Sequence, residues 1–149
     1  MHAGRKSLHH RDGPSGATDS SGEVEVYFIT VCCLNRELNQ LAHPEVWDTL
    51  VETVRRRERE QLLRCRLLLA MPDHLHGLFS FYDASPMSVV MGDIKRWMQR
   101  QHKIVWQKNF WDHRLRNHES SVEKANYIRM NPVRAGLVTT PDAWPYVTQ

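Results

Sequence analysis

The sequence predicts an α+β domain, a ferredoxin-like antiparallel sheet with helices packed on one face. Three observations carry this. The elements read strand, helix, strand, strand, helix, strand, helix. The second and third strands meet at a short turn, as hairpin partners do. The chain has 149 residues, 41% hydrophobic and 25% charged, which is the size and composition of one globular domain.

Residues 1–22 are rich in Gly and Ser and poor in large apolar side chains, and read as a flexible tail ahead of a domain at 23–149. Order begins at Val24. The run from Val24 to Cys33 is β-branched and aromatic, free of Gly and Pro, and reads as a buried strand. A helix follows from Pro44 to Glu60, with Pro in its first turn. Val46, Trp47, Leu50, Val51 and Val54 repeat at helical spacing. Arg55, Arg56, Arg57 and Arg59 crowd its end, where cations suit the helix dipole and water.

Leu62–Ala70 reads as the second strand, Met71-Pro72-Asp73 as a turn, and His74–Tyr82 as the third strand. Ser85-Pro86 reads as a cap and first turn of a helix. Met87, Val90, Met91, Ile94, Trp97 and Met98 fall on its core face, with Lys95, Arg96 and Arg100 off it. Ile104–Trp106 and Phe110–Leu115 read as short extended segments around a turn. The last helix runs from Ser120 to Asn131 and stops at Pro132, because a proline pushes the preceding residue out of the helical region. Gly136 and Pro141 mark an irregular tail.

Several classes of protein are excluded. The composition is not that of a disordered chain, a collagen or a coiled coil. No apolar run approaches the roughly 18–20 residues needed to cross a bilayer, so no membrane role is expected. Cys32, Cys33 and Cys65 make no disulfide framework and no CxxC pair, which suits a reducing, cytoplasmic setting. The formal charge of +3 is mildly basic, and the chain is rich in His and Trp.

Two local features carry chemistry. In His74-Leu75-His76, positions i and i+2 of a strand point to one face, so both imidazoles project together. Such a pair can hold one divalent metal and leave positions open for substrate. On the last helix, Glu123, Tyr127 and Asn131 lie four apart and share a stripe. Tyr127 is either a nucleophile or a ring packed with its hydroxyl at the rim. Asn131 has an amide oxygen to offer a metal. A free phenol titrates at about pH 10 and attacks poorly at neutral pH. A metal that withdraws charge from a phosphate would let it attack and form a phosphotyrosine. The sequence contains no P-loop and no dinucleotide fingerprint.

Four segments together resemble a known family: YFITV at 27–31, MPDHLHG at 71–77, WQKNFWDHRLRN at 106–117 and YIRMNPVRAGLV at 127–138, with WPY at 144–146. They look like the REP-associated tyrosine transposases, a group of the HUH single-strand transposases, over roughly residues 24–147. The resemblance implies that His74, His76 and Asn131 ligate Mg²⁺ or Mn²⁺ and that Tyr127 is the catalytic nucleophile. It implies cleavage and rejoining of single-stranded DNA beside hairpins of repetitive extragenic palindromes, through a 5′-phosphotyrosine with a free 3′-OH. Ligand chemistry alone favours Mn²⁺ or Zn²⁺ for two imidazoles and an amide, so Mg²⁺ rests on the resemblance. Many relatives carry a tyrosine-bearing stretch ahead of the first strand that helps read the hairpin; Gly4-Arg-Lys-Ser7 resembles its start, but a Gly/Ser/Asp run follows.

Phosphate contacts are expected from Lys95, Arg96 and Arg100 with Arg114 and Arg116, since neutralising a backbone needs cations near the groove. The expected location is cytoplasmic and nucleoid-associated, as a monomer or homodimer. Two other readings differ in kind. One is a domesticated or decayed module that binds hairpin DNA without cutting. The other is a metal hydrolase that uses the same histidines and a water nucleophile.

Overall fold

The computed structural model describes residues 24–116 and 120–148, together with the backbone of residues 5–7. Five strands form one antiparallel sheet: β1 (Arg5–Ser7), β2 (Tyr27–Cys32), β3 (Leu63–Ala70), β4 (His74–Phe81) and β5 (Phe110–Arg114). Their order is β1-β5-β2-β4-β3. Helix α1 (Pro44–Arg59) links β2 to β3, and α2 (Met87–His102) links β4 to β5. This is the expected α+β layer. The rest of the stretch expected as a tail lies outside the described residues. Within it, β1 pairs with β5, aligning Arg5 with Asp112 and Ser7 with Phe110.

Alternation along the strands builds two unequal cores. Tyr27, Ile29 and Val31 of β2 and Leu75, Phe79 and Phe81 of β4 bury one face against Val46, Leu50 and Val54 of α1 and Met87, Val90, Met91, Ile94 and Met98 of α2. The two long helices thus share one face, as expected. The opposite face carries a smaller cluster of Val26, Leu67, Leu69, Met71, Leu78 and Ile128. Ile128 comes from a third helix, α3 (Ser121–Arg129), so this shorter helix covers part of the other face. A register shift between Cys65 and Leu67 lets β3 supply Leu63 to the first core and Leu67 to the second.

Local chemistry accounts for the ends of the elements. Pro44 and Glu45 open α1, and Arg56, Arg57 and Arg59 close it. Arg56 pairs with Glu60 and Arg59 with Glu52, so this basic cluster is a solvated helix end. Ser85 does not cap α2; its hydroxyl donates to the carbonyls of Leu62 and Tyr82 instead. Trp97 is 38% exposed, not core, because Ile94 and Met98 fill the buried stripe beside it. Ile104–Trp106 forms only an isolated bridge between Trp106 and Cys33.

Pro132 does not end the last helix at Asn131. The chain makes a turn at Met130 and starts a short helix, α4 (Asn131–Arg134), with Pro132 in its first turn, where a missing N–H costs nothing. Gly136, at φ 76°, ends α4 in a left-handed conformation that suits glycine. The final segment then closes the open edge of β3. Ala70 N donates to Tyr146 O, Thr148 N donates to Leu68 O, and the Trp144 indole donates to Ala70 O. Covering this edge removes a template for pairing with other chains. Among the described residues no helix is long and apolar enough to cross a membrane.

Candidate active site

His74 and His76 emerge side by side from β4 on the face that α3 partly covers. Their rings are 4.7 Å apart between centroids and meet edge to face. The pairing of β2 with β4 sets Thr30 opposite His76 and Cys32 opposite His74. Thr30 Oγ1 lies 2.9 Å from His76 Nδ1. His76 is only 7% exposed. The Phe28 ring packs against it, 5.1 Å between centroids. Between the two histidines Leu75 enters the opposite core, as alternation requires.

His74 sits at the start of β4, beside the turn. Its Nδ1 is 2.8 Å from Asp73 Oδ1. Arg36, from the segment after β2, donates to Asp73 Oδ2 at 2.6 Å. Burial acts to raise the Asp73 carboxyl. Hydrogen bonds with His74 and Arg36, and the charge of both, outweigh it and hold the carboxyl down to about 2. Backbone bonds from Cys33 N to Asp73 O and from Met71 N to His74 O fix the turn itself.

Tyr127 lies on α3, 56% exposed, next to the buried Ile128. Ser120 caps this helix by accepting from Glu123 N. Two cations flank the Tyr127 ring. The Arg134 guanidinium carbon is 4.0 Å from its centroid and Lys124 Nζ is 5.3 Å. Lys124 Nζ also lies 5.4 Å from the centre of the Phe28 ring. A chain of contacts therefore runs from Tyr127 through Lys124 and Phe28 to His76. Asn131 begins α4, partly buried, one helical turn beyond Tyr127.

Among the described residues no three His, Cys, Asp or Glu side chains cluster to hold a metal. An ion on the histidine pair would need a ligand of another type. The pair itself suits one: two imidazoles share a face, and each Nδ1 lies near a polar partner, as is usual for metal-ligating histidines.

The five cations expected at DNA divide between α2 and the end of β5. Lys95, Arg96 and Arg100 are on α2, across the sheet from the histidines. Lys95 donates to the carbonyls of Gln107 and Lys108, and its burial lowers its pKa. Arg96 pairs with Asp93. Arg114 pairs with Glu25 at 2.7 Å and is aligned with Tyr27, which faces α1 and α2. Arg116 follows β5 and is exposed. By register, Trp111 and His113 share the histidine face instead, opposite Thr30 and Phe28. Sequence reasoning missed Arg36, Asp73, Thr30, Phe28, Lys124 and Arg134. Lys124 was legible, since it lies three residues before Tyr127 on the same helix face. Arg36 meets Asp73 across 37 positions and left no local signal.

No protein-family model matches the chain. Among curated proteins, it is 28% identical over 127 residues to the REP-associated tyrosine transposase of Escherichia coli strain K12, covering 82% of this chain and 74% of that one. It is also 24% identical over 149 residues to a protein of Haemophilus influenzae that carries no functional name, covering 72% of this chain and 79% of that one. Among solved structures, the fold matches a REP-associated tyrosine transposase bound to a REP hairpin. The TM-score is 0.75 at 24% identity, over 95% of this chain and 82% of that one. The resemblance read from the sequence thus stands, with a named relative across most of the chain and a shared fold.

Proposed function

We propose that this relative of the REP-associated tyrosine transposases is a transposase and endonuclease acting on single-stranded DNA beside palindromic hairpins, with Tyr127 as its nucleophile. The observation that carries the reading is the convergence of His74, His76 and Tyr127-bearing α3 on one face of the sheet. Similarity to a named transposase across 82% of the chain supports it.

In this reading Tyr127 Oη attacks the scissile phosphorus. A tyrosine–phosphorus bond forms and the bond to the 3′ oxygen breaks. That oxygen leaves with the electron pair and takes up a proton as a free 3′-OH. The 5′-phosphate stays on the tyrosine, so the energy of the broken ester is kept for rejoining. Exposure of Tyr127 lets a DNA strand reach it. Lys124 and Arg134 hold the ring and place positive charge near an incoming phosphate.

His74, His76 and the amide oxygen of Asn131 would hold a divalent metal, Mg²⁺ or Mn²⁺, and Mn²⁺ suits the imidazoles better. When bound, such an ion polarises a phosphate oxygen. Thr30 and Asp73 orient the two imidazoles. Lys95, Arg96, Arg100, Arg114 and Arg116 serve, in this proposal, as outlying contacts to the DNA backbone rather than as part of the cleavage centre.

The test is a cleavage assay on 5′- and 3′-labelled hairpin DNA from the flanks of the gene, with Mn²⁺ or with EDTA. The reading expects metal-dependent cutting and a protein-linked fragment that carries the 3′ label. Metal-dependent cutting without a linked fragment would replace it with a hydrolase. Binding without cutting would replace it with a binding module.

A further inference from the structure

We propose that Asp73, held in place by Arg36, is a positioning residue that selects the tautomer of His74, keeping its proton on Nδ1 and its lone pair on Nε2. The inference rests on the metal-site reading above only for what that lone pair is used for.

Donors and acceptors around Nδ1 decide the tautomer. An ionised carboxylate only accepts. Asp73 Oδ1 is 2.8 Å from His74 Nδ1, within the ordinary range for an N–H donor, so that nitrogen carries the proton. Arg36 Nη2 is the competing neighbour, 3.4 Å from the same Nδ1. Were it the donor, Nδ1 would hold the lone pair and the proton would move to Nε2. The longer separation is a poor hydrogen bond, and Arg36 has a better acceptor. Its Nε reaches Asp73 Oδ2 at 2.6 Å. Both donors are therefore satisfied by the two oxygens of one carboxylate, and Nδ1–H is the arrangement that satisfies them.

The backbone makes the clamp stiff. Asp73 is held in its turn by the bond from Cys33 N to its carbonyl, and His74 by the bond that its carbonyl accepts from Met71 N. Arg36 lies three residues past Cys33, so the strand end that grips the turn also delivers the guanidinium. His74 is otherwise the freer of the two histidines, at the first position of β4 and less enclosed than His76. It is the one that needs an external partner to fix its ring.

Asp73→Asn separates this from a structural role. An amide has one acceptor where the clamp needs two. Arg36, the charged donor, keeps the amide oxygen, and the amide N–H₂ turns toward Nδ1, which must then accept. The proton of His74 moves to Nε2. The readout is nitrogen-15 NMR of the imidazoles in the full, metal-free chain, at a pH where the ring is neutral, beside Mn²⁺ titration followed by electron paramagnetic resonance.

The wild type is expected to show His74 protonated at Nδ1. Asp73→Asn is expected to shift the proton to Nε2 and weaken Mn²⁺ binding about 10- to 100-fold. Arg36→Met, at an exposed position and safe for folding if Asp73→Asn is not, is expected to keep the proton on Nδ1, because the Asp73 carboxylate still only accepts, and to weaken Mn²⁺ binding by less than Asp73→Asn does. A wild-type His74 protonated at Nε2, an Asp73→Asn variant that leaves the tautomer unchanged, or an Arg36→Met variant that moves the proton to Nε2 would overturn the proposal. The tautomer is read without metal or DNA, so a wild type that binds no Mn²⁺ would count against the metal reading while the spectrum still decides this one.

Discussion

Arg134 grips Tyr127 twice: its guanidinium stacks over the ring at 4.0 Å and donates to the Tyr127 carbonyl at 2.8 Å. The two residues are seven apart, across the break between α3 and α4, so the grip spans the turn at Met130. Pro132 lies in the first turn of the short helix that carries Arg134. Arg134→Ala is expected to slow single-turnover cleavage about three- to ten-fold, from lost ring contact and hydrogen bonding. Because both residues are exposed, thermal unfolding should shift little. An unchanged cleavage rate would separate the grip from the chemistry.

Gly77 sits between His76 and Leu78, and a methyl group there would meet Phe79 Cε2 at 2.2 Å. Phe79 is buried and cannot swing away. Gly77→Ala is therefore expected to destabilise the fold by about 1–3 kcal/mol, read as a lower urea midpoint with an unchanged slope.

Lys95 ties α2 to the segment ahead of β5. Its ammonium bridges α2 to the carbonyls of Gln107 and Lys108, just ahead of β5. Lys95→Met is expected to cost about 1–2 kcal/mol of stability. Arg100→Ala, on an exposed side chain of the same helix, should leave stability within about 0.5 kcal/mol. Denaturant titration of the two variants checks the contrast.

The thiols are shielded. Burial, reinforced by Asp73 and Cys32, pushes Cys33 up to about 12, and burial followed by the charge of Glu58 does the same to Cys65. At pH 8 both stay protonated in the folded chain and react poorly, since the thiolate is the nucleophile. Alkylation by iodoacetamide followed by peptide mass spectrometry should find these two unmodified in the native protein and modified in urea.

The sheet was legible because alternation and helical periodicity are local. His74 and His76 share a face for the reason the sequence implied, and Tyr127 and Asn131 fall one turn apart near the junction of α3 and α4. What was not legible depends on distant pairing. Nothing near Arg36 announces Asp73, and nothing in the α3 sequence says which face of the sheet Ile128 will bury against. Pro132 misled because a proline inside one helix and a proline opening the next look alike in sequence. The charge of the α2 cations is visible in the sequence, and their side of the sheet, set by distant packing, is not.

The central claim is that Tyr127 carries the covalent link to DNA. It is tested most directly by trapping the reaction with hairpin DNA and Mn²⁺, digesting protein and DNA, and locating the nucleotide by peptide mass spectrometry. The account predicts a 5′-linked nucleotide on the peptide that contains Tyr127, and none with Tyr127→Phe. A nucleotide on Tyr82 or Tyr146, or an adduct that survives Tyr127→Phe, would contradict it.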